Sequence, residues 1–489
     1  MPFTTIVQLL KSAGLRLVRL RGRRAGVGAV GGGRSLARAM IFMPVLVGCS
    51  SLPVFVPDMS RRDVTPQLTS ARGVLSQSQS RAVLERLRSR GTATDIFERH
   101  LALEEEIVGS PLTTGNRVQL LKDGPATYAA MLAAIASARD HVNMETYILD
   151  DDDIGRRFAQ ALVDKQREGV QVNLIYDSVG TLNTPQAFFD RLAENGVQLL
   201  EFNPVNPLEA RKGWEINQRD HRKLLIVDGA TAFLGGINIS GVYASGSSKL
   251  RRHPEREDDG PAWRDTDLQI DGPVVAEFQK LFLTTWRAQK GEPLAVRDYF
   301  PEIAPVGDQV VRAIGSSPDD DYSQIYGTLL SAIHSAERSV QITNAYFVPD
   351  PQLLDALTAA ALRGVDVSLI LPSQTDSWLV LHAGRAHYTR LLRAGVKIFE
   401  RRGVILHSKT ALVDGVWATV GSTNLDWRSF LHNHELNAVV LGERFGRQLQ
   451  AMFDQDLEQS DRVSLEQWER RPVDQRLKEV FARVWEYWL

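Results

Sequence analysis

Residues 221–228 read HRKLLIVD and residues 407–414 read HSKTALVD. Each stretch sets a histidine, a lysine two residues later and an aspartate five residues after the lysine. Each is followed by an asparagine, Asn238 or Asn424, that lies 17 residues after its histidine. A matched pair of this kind indicates a duplicated half-site.

The chemistry that needs these residue types is transfer of a phosphoryl group. A phosphodiester is an anion that repels nucleophiles, and lysine ammonium and asparagine amide groups are donors that can neutralise or bind its oxygens. A neutral imidazole can attack phosphorus, and a second histidine can protonate the departing alcohol. Two half-sites therefore supply a nucleophile and a general acid, and we expect neither a metal ion nor another cofactor.

Both stretches are predicted to be buried strands that end in an Asp-Gly turn, which is a strong hairpin signal between apolar runs. Side chains two residues apart share one face of a strand, so each histidine lies beside its lysine, Lys223 or Lys409. A two-residue turn would return each asparagine to its own histidine. Asp228 and Asp414 would lie about 20 Å from the histidines at roughly 3.3 Å per residue, which favours turn-forming or hydrogen-bonding roles.

Further stretches around the two motifs carry a family resemblance. They are GNRVQLLKDGP (115–125), NQRDHRKLLIVDG (217–229), LGGINIS (234–240), AWRDTDLQIDGP (262–273), NAYFVPD (344–350) and HSKTALVDGVWATVGSTNLDWRSFLHNHELN (407–437). The paired motifs resemble those of the phospholipase D superfamily, and the flanking sequence resembles bacterial cardiolipin synthases, over roughly residues 110–460.

The resemblance assigns roles to specific residues. It implies a catalytic set, a phosphate-binding pair and two acids that orient the histidine rings. Glu435, 28 residues after His407, fits the acid of the second half, and Asp267 fits the acid of the first half across a longer insertion. Either acid could instead be an ordinary surface charge. The implied catalytic residues are His221, Lys223, Asp228, His407, Lys409 and Asp414, and the phosphate-binding residues are Asn238 and Asn424.

The implied activity is phosphatidyl transfer between two phospholipids. By analogy, His221 attacks the phosphodiester of one phosphatidylglycerol, His407 acts as acid and base, and the hydroxyl of a second lipid accepts the phosphatidyl group. A phospholipase, phosphodiesterase or nuclease would use the same residues with water as acceptor. A lipid-binding scaffold without activity is the remaining alternative.

The order of elements predicts an α/β fold made of two fused phospholipase D-type repeats. Residues 131–149 and 329–348 both read as a helix followed by a strand, and each is followed by another helix and an apolar strand. Each repeat should form a mixed central sheet flanked by helices, with the active site at the pseudo-two-fold interface. The predicted segments are a signal (1–48), a linker with a helical cap (49–110), repeat 1 (111–300) and repeat 2 (301–489).

Composition agrees with a large globular enzyme, and the resemblance implies that its partners are membrane phospholipids. The chain has 489 residues, 43% of them hydrophobic, and a formal net charge of −2. A dedicated nucleic-acid-binding domain is usually basic, so we expect no nucleic acid, and no obligate protein partner is indicated. The chain contains no run of about 20 apolar residues, so we expect no transmembrane helix in its body.

The single cysteine, Cys49, follows an arginine-rich segment and the apolar stretch 39–47. This order resembles a bacterial lipoprotein signal, in which the cysteine is acylated, and predicts a lipid-anchored protein. The alternatives are a free cysteine in a disordered extension and a peripheral protein on the cytoplasmic face of the inner membrane.

Three groups of residues allow a functional and a structural interpretation. Aromatic and basic residues near the motifs could line a head-group pocket or be plain core, and an apolar helical stripe near residue 480 could meet a bilayer or the catalytic core. Five other histidines lack metal-ligand spacing and are expected to be structural. The three groups are Trp263, Trp417, Trp427 and Arg428; Leu477, Val480, Phe481, Val484, Trp485 and Trp488; and His334, His382, His387, His432 and His434.

Overall fold

Two copies of one succession of strands and helices follow each other along the chain. The computed structural model describes residues 66–89, 94, 96–206, 215, 217–247 and 261–489. All of these described residues belong to one compact unit. The predicted signal segment and Cys49 lie outside the described residues, and the predicted domain boundaries stay predictions.

The amino-terminal part and repeat 1 contain the first eleven strands of the described residues. In chain order they contain β1 (Leu68–Ser70), β2 (Gly73–Val74), α1 (Gln77–Ser89), α2 (Ile96–Ile107), β3 (Leu112–Lys122), α3 (Asp123–Ser137), β4 (His141–Thr146), α4 (Asp153–Arg167), β5 (Gln171–Asp177), α5 (Gln186–Glu194), β6 (Gln198–Phe202), β7 (Arg219–Asp220), β8 (Leu224–Val227), β9 (Thr231–Gly235), a 3₁₀ helix (Gly241–Tyr243), β10 (Trp263–Arg264), β11 (Thr266–Asp271) and α6 (Val275–Ala288).

Repeat 2 follows the same plan and adds helices after its last strands. It contains β12 (Gln309–Ser316), α7 (Gln324–Ser335), β13 (Ser339–Asn344), α8 (Pro351–Leu362), β14 (Asp366–Pro372), α9 (Trp378–Arg385), α10 (Tyr388–Arg393), β15 (Lys397–Arg401), β16 (Ile405–Leu406), β17 (Lys409–Val413), β18 (Trp417–Gly421), α11 (Trp427–Leu431), β19 (Asn433–Leu441), α12 (Glu443–Glu458), β20 (Ser460–Val463), α13 (Leu465–Glu469), α14 (Val473–Arg483) and a 3₁₀ helix (Glu486–Trp488).

Pairing of β3 with β12 joins the two repeats into one mixed sheet. On one side of this junction the order is β6-β5-β4-β8-β9-β11-β3, and on the other it is β12-β19-β18-β17-β13-β14-β15-β20. Strands β4, β5 and β6 are parallel, as are β13, β14 and β15, because a helix crosses over between each pair. The predicted two-repeat α/β fold is confirmed.

A shared hydrophobic core holds the two repeats together. Phe278 and Phe282 of α6 belong to the same cluster as Leu436 of β19 and Phe445 of α12. All four side chains are almost fully buried, and burying a side chain of this size contributes roughly 1.5–3 kcal/mol. Neither repeat could expose this surface to water without a large loss of stability.

The two motif hairpins turn through three residues, whereas the sequence predicts two. Val227 pairs with Thr231, and Val413 pairs with Trp417, so each turn contains an Asp, a Gly and one further residue. The aspartates adopt positive φ angles of 51° and 52° at positions 228 and 414. Aspartate and glycine tolerate this left-handed conformation better than most residues, which explains why the pair occurs in both turns.

Candidate active site

Each motif histidine is held by a carboxylate from the opposite repeat. His221 Nδ1 lies 3.0 Å and 3.1 Å from the two carboxylate oxygens of Glu435, and His407 Nδ1 lies 2.7 Å from Asp265 Oδ2. A carboxylate accepts a hydrogen bond from Nδ1–H and so selects the tautomer with its lone pair on Nε2. The nitrogen left for chemistry on each ring is therefore Nε2.

Two short parallel strand pairs bring each histidine to the acid of the other repeat. Strand β7 runs beside the start of β19, and the His221 amide donates to the His434 carbonyl at 3.0 Å. Strand β10 runs beside β16, and the His407 amide donates to the Arg264 carbonyl at 2.8 Å. In both pairs the residue that follows the accepting carbonyl is the acid that holds the histidine.

The sequence prediction for the orienting acids is wrong in two respects. The acid in contact with His407 is Asp265, whereas the sequence predicts Asp267 as the acid of the first half. Glu435 does orient a histidine, but it contacts His221 of the other repeat instead of His407. The residue spacing within a repeat cannot reveal that the repeats exchange their acids.

An internal alignment of β11 with β19 would have found the correct acid. Asp267 pairs with Gly235 on the neighbouring strand, and Asn437 pairs with Gly421 at the equivalent place in repeat 2. Asp267 therefore corresponds to Asn437. Counting back two residues from each gives the two acids that contact the histidines.

Asp267 supports the loop that carries Asn238. Its Oδ1 atom accepts a hydrogen bond from the Ile237 amide at 3.1 Å, and burial followed by the charge of Asp265 raises its pKa well above the usual value. A Cβ atom at Gly235 would lie 2.0 Å from Asp267 Oδ1, and one at Gly236 would lie 2.2 Å from Asp265 Oδ1. Both glycines are thus required to make room for the two carboxyl groups.

The motif aspartates shape the ends of the hairpins farthest from the histidines. Each carboxylate of Asp228 and Asp414 accepts hydrogen bonds from three consecutive backbone amides, and Asp414 also accepts one from the Thr94 hydroxyl. This agrees with the interpretation of both as hydrogen-bonding turn residues. It corrects the catalytic role that the resemblance implies, because their carboxylates bind backbone and not the reacting groups. The donors are residues 139–141 for Asp228 and residues 337–339 for Asp414.

The two motif lysines are buried cations beside the histidines. Lys223 Nζ donates to the His221 carbonyl oxygen at 2.5 Å, and Lys409 Nζ donates to the His407 carbonyl oxygen. Burial lowers the pKa of Lys223 to about 7 and that of Lys409 to about 8, although Glu435 and Asp265 respectively oppose the shift. A bound phosphate would supply the missing negative charge and stabilise both ammonium groups.

The charges of the two half-sites act on each other. Burial lowers the pKa of His221 to about 4, and Lys409 of the other repeat contributes to the shift. Burial, then Lys409, lowers the pKa of His407, with a smaller contribution from Lys223. Burial raises the pKa of Glu435, but His221 and Lys223 outweigh it and leave the pKa below its usual value. The resting site thus combines neutral histidine rings with a charged Glu435.

The two asparagines have different surroundings. Asn238 Oδ1 accepts a hydrogen bond from the Ile148 amide at 3.1 Å, and its Nδ2 donates to the Tyr243 hydroxyl at 3.0 Å. Asn424 is buried, and its Oδ1 has no hydrogen-bond partner within the described chain. Their predicted role in binding phosphate remains a proposal.

Aromatic rings surround the two histidines. The ring of Tyr147 lies 5.2 Å from that of His221. The rings of Trp263, Tyr243 and Tyr346 lie 5.3 Å, 5.7 Å and 6.1 Å from the His407 ring. The sequence analysis missed the three tyrosines, which follow strands β4 and β13 or lie in the 3₁₀ helix, because no motif marks them.

Of the other side chains considered for a pocket, one is core and two lie at the edge of the site. Trp417 is 1% exposed and packs against the ring of His100. Arg428 donates to Asn217 close to the start of β7, and Trp427 packs 5.8 Å from Tyr487. Only Trp263 is therefore placed beside a reacting histidine.

The remaining histidines make structural contacts. His334 Nδ1 bonds the Leu330 carbonyl at 2.7 Å, His382 packs on Trp378, and His387 pairs with Glu486. Within the described ranges, no three His, Cys, Asp or Glu side chains are grouped so as to hold a metal ion.

Sequence comparisons place this geometry in a family. The family described as "Cardiolipin synthase, PLD-like domain" matches residues 131–245 and 329–457, which include both motifs. A cardiolipin synthase of Geobacillus kaustophilus is 35% identical over 387 residues, covering 78% of this chain and 74% of its own. Cardiolipin synthase 2 of Bacillus anthracis is 36% identical over 367 residues, covering 74% of this chain and 69% of its own. The chain belongs to the cardiolipin synthase family of phospholipase D-like proteins.

A solved structure has the same fold. The phosphatidylserine synthase of Haemophilus influenzae matches with a TM-score of 0.58 and 14% identity, over 78% of this chain and 96% of its own. Among the helices of the described residues, none combines the length and the apolar character needed to cross a bilayer.

Proposed function

We propose that this enzyme transfers a phosphatidyl group from one phosphatidylglycerol to the hydroxyl of a second phospholipid and so forms cardiolipin. The observation that carries the proposal is the crossed pair of Nδ1 contacts, which equips two imidazoles in one site with reactive Nε2 atoms. Membership of the cardiolipin synthase family supports the choice of lipid substrates.

In the first step, His221 Nε2 attacks phosphorus, and a nitrogen–phosphorus bond forms while the bond to the glycerol oxygen breaks. His407 Nε2–H gives its proton to that oxygen, and glycerol leaves. Glu435 accepts from His221 Nδ1–H, so it stabilises the positive charge that develops on the attacking ring.

In the second step, the deprotonated His407 takes the proton of the acceptor hydroxyl. The resulting oxygen attacks phosphorus, the nitrogen–phosphorus bond breaks, and His221 returns to its neutral form. Asp265 holds His407 at Nδ1 through both steps and stabilises the imidazolium when it carries the proton. With a lipid hydroxyl as acceptor, no water is consumed and the enzyme is a transferase. With water as acceptor, the same two steps would make it a hydrolase.

Charge balance explains why His407 becomes an acid only when substrate is bound. Two lysines and a protonated His407 would carry three positive charges, whereas Glu435 and Asp265 carry two negative ones. The phosphodiester supplies the third negative charge, and buried charges are stable only when they are paired. Binding of substrate should therefore raise the pKa of His407 and load it with its proton.

The test is incubation of the detergent-solubilised protein with labelled phosphatidylglycerol and mass analysis of the lipid products. Cardiolipin and glycerol in equal amounts would support the synthase, and phosphatidic acid alone would show a phospholipase. Absence of either product with this donor, in an assay where a related synthase turns over, would refute the proposed substrate. His221→Ala protein is the matched inactive control.

The site of lipid attachment is proposed from the sequence alone. Acylation of Cys49 would hold the catalytic unit at a membrane surface through the segment that follows it. Family membership supports an enzyme that acts at membrane lipids, and the lipoprotein anchor is the finer part of the proposal.

A further inference from the structure

Helix α14 leaves an apolar face in solvent, although a surface helix usually buries its apolar face. Val480 and Val484 are 66% and 75% exposed, whereas Glu479 and Ala482 are 3% and 0% exposed. The exposed set continues into the following residues. We call these side chains the outward face: Leu477, Val480, Phe481, Val484, Trp485 and Trp488.

Specific contacts fix the helix in this orientation. Glu479 accepts two hydrogen bonds from Arg471 at 2.8 Å and 2.6 Å, and the Arg471 guanidinium lies 4.3 Å above the ring of Trp468. Ala482 belongs to a small core cluster with Val380 of α9. Ala482 therefore packs α14 against α9, Glu479 is paired and buried, and the outward face is left in solvent.

The outward face is a concentrated apolar surface. Seven of the fifteen exposed large apolar side chains in the described residues lie within 473–489. Trp378 of α9 adds to them, because its ring lies 6.4 Å from that of Phe481 and it is 48% exposed. Contiguous exposed apolar surface of this kind marks a site of interaction with a membrane or a protein.

Charge favours a membrane surface. Residues 470–489 contain five basic and three acidic side chains. Each of the three acids has a hydrogen-bond partner: Glu479 bonds Arg471, Asp474 bonds Lys478 and Glu486 bonds His387. Beside the helix lies a groove of about 410 Å³ whose lining includes four arginines and two glutamates: Arg393, Arg471, Arg476, Arg483, Glu469 and Glu479. Tryptophan and phenylalanine beside basic residues suit the boundary between acyl chains and anionic head groups.

The outward face lies at the same edge of the molecule as the reacting histidines. Helix α9 begins two residues after Asp376, which accepts a hydrogen bond from the Tyr346 hydroxyl at 2.6 Å, and the Tyr346 ring lies 6.1 Å from His407. The link to the His221 half of the site is Tyr487. Its ring lies 6.2 Å from that of His432, and His432 precedes Glu435 by three residues. A surface that rests on this face would bring lipid head groups to the entrance of the site.

We infer that the outward face of α14 docks on an anionic phospholipid bilayer and positions the active site over its substrate. The inference goes beyond the proposed reaction, because it concerns where the enzyme sits and not which bond it breaks. Lipid binding by this face does not require turnover, so the two proposals can fail separately.

The experiment places one fluorophore at a time on the full chain with Cys49→Ser as background. Val484→Cys reports on the outward face, and Leu362→Cys is the matched control, because both side chains are 75% exposed and Leu362 ends α8 before the start of β14, whereas Tyr346 follows the end of β13. An environment-sensitive label is followed while vesicles of phosphatidylglycerol and phosphatidylethanolamine are added. The label at 484 should shift to shorter wavelength and be quenched by acyl-brominated lipid, and the label at 362 should not change.

Vesicle composition and face substitutions test the two parts of the inference. Phosphatidylcholine vesicles should give a clearly weaker signal, and Leu477→Asp should weaken vesicle binding about tenfold or more, because a carboxylate would replace an apolar side chain at the membrane surface. Equal signals at 484 and 362, equal binding to neutral vesicles, or no signal at 484 would each overturn the inference. So would a label at 484 that is shielded before vesicles are added, since another part of the chain or a second copy would then cover the face.

Two controls separate this inference from the proposed function. His221→Ala protein should bind vesicles as the unmutated protein does, although it is inactive. Leu477→Asp protein should keep its melting temperature and its turnover of substrate in detergent micelles. Loss of micellar turnover together with a lower melting temperature would show that α14 stabilises the fold, and would overturn docking as its role.

Discussion

Asp265→Asn is the most informative single substitution, because it removes one charge from a contact that the sequence does not reveal. The carboxylate lies 2.7 Å from His407 Nδ1, and its other oxygen accepts from the Thr266 amide at 2.7 Å. Asparagine has nearly the same shape and can keep the second bond. It can also present an amide N–H to Nδ1, which would select the wrong ring tautomer.

The expected loss follows from the contact and its burial. A hydrogen bond to a charged partner contributes about 1.5–3 kcal/mol, or about 10- to 150-fold in rate at roughly 1.4 kcal/mol per factor of ten. An equivalent change in serine proteases costs about 10⁴-fold, because the histidine is held in the wrong tautomer. We therefore expect cardiolipin formation to fall by about 10²- to 10⁴-fold.

The assay follows glycerol release and cardiolipin formation separately with labelled phosphatidylglycerol in micelles. Both should fall, since His407 acts in both steps. Removing the anion of Asp265 should also lower the pKa of His407 further, so the residual rate should increase as the pH is lowered. A purely structural defect would not produce this change in the pH profile.

Asp267→Asn is the matched control two residues away. Asp267 is buried with a raised pKa, and repeat 2 already has asparagine, Asn437, at the equivalent place. This variant should keep its activity within a few fold. Equal losses for the two variants, or full activity of Asp265→Asn, would refute the assignment of Asp265 as the residue that orients His407.

Four further predictions concern the site and the anchor. His221→Ala and His407→Ala should each abolish nearly all turnover and the double variant should be little worse, whereas additive losses would contradict a shared site. The rate at limiting substrate should fall as the pH rises through about 7 to 8, because Lys223 and Lys409 lose their protons, and it should hold toward pH 5 because the His221 pKa is about 4. A rate that does not change up to high pH would contradict the role of the two lysines as charged phosphate ligands. Activity should persist in chelator, and loss that magnesium alone restores would contradict a metal-free reaction. Cys49→Ser should block palmitate incorporation in bacteria and leave a slower-migrating precursor. A wild-type protein that takes up no labelled palmitate would refute the lipoprotein hypothesis.

The sequence predicts the repeat and the motif residues well, because strand alternation and hairpin turns are local properties. The turn role of Asp228 and Asp414 also follows from distance along a strand. The pairing of Glu435 with His221 does not, since it depends on β7 and β19 from different repeats. Asp265 and Asp267 are two residues apart at the start of β11, so strand periodicity alone cannot choose between them.

The apolar stripe near residue 480 shows a different limit. Its period predicts a helix correctly, but period alone does not say which side is buried. The buried side is chosen by Glu479 and Ala482, through an ion pair to Arg471 and close packing on α9. A polar residue that is buried and paired is the exception to hydrophobic patterning, and it can be found only from the structure.

Because the acids are exchanged between the repeats, the proposed nucleophile His221 gains its orienting acid late in synthesis. Repeat 1 leaves the ribosome first with its nucleophile, lysine and asparagine complete, but Glu435 is some 200 residues further along the chain. Until β19 docks beside β7, nothing holds His221 in the tautomer needed for attack. We therefore expect a partly synthesised chain to be inactive, because His221 is held in the tautomer for attack only after repeat 2 has folded.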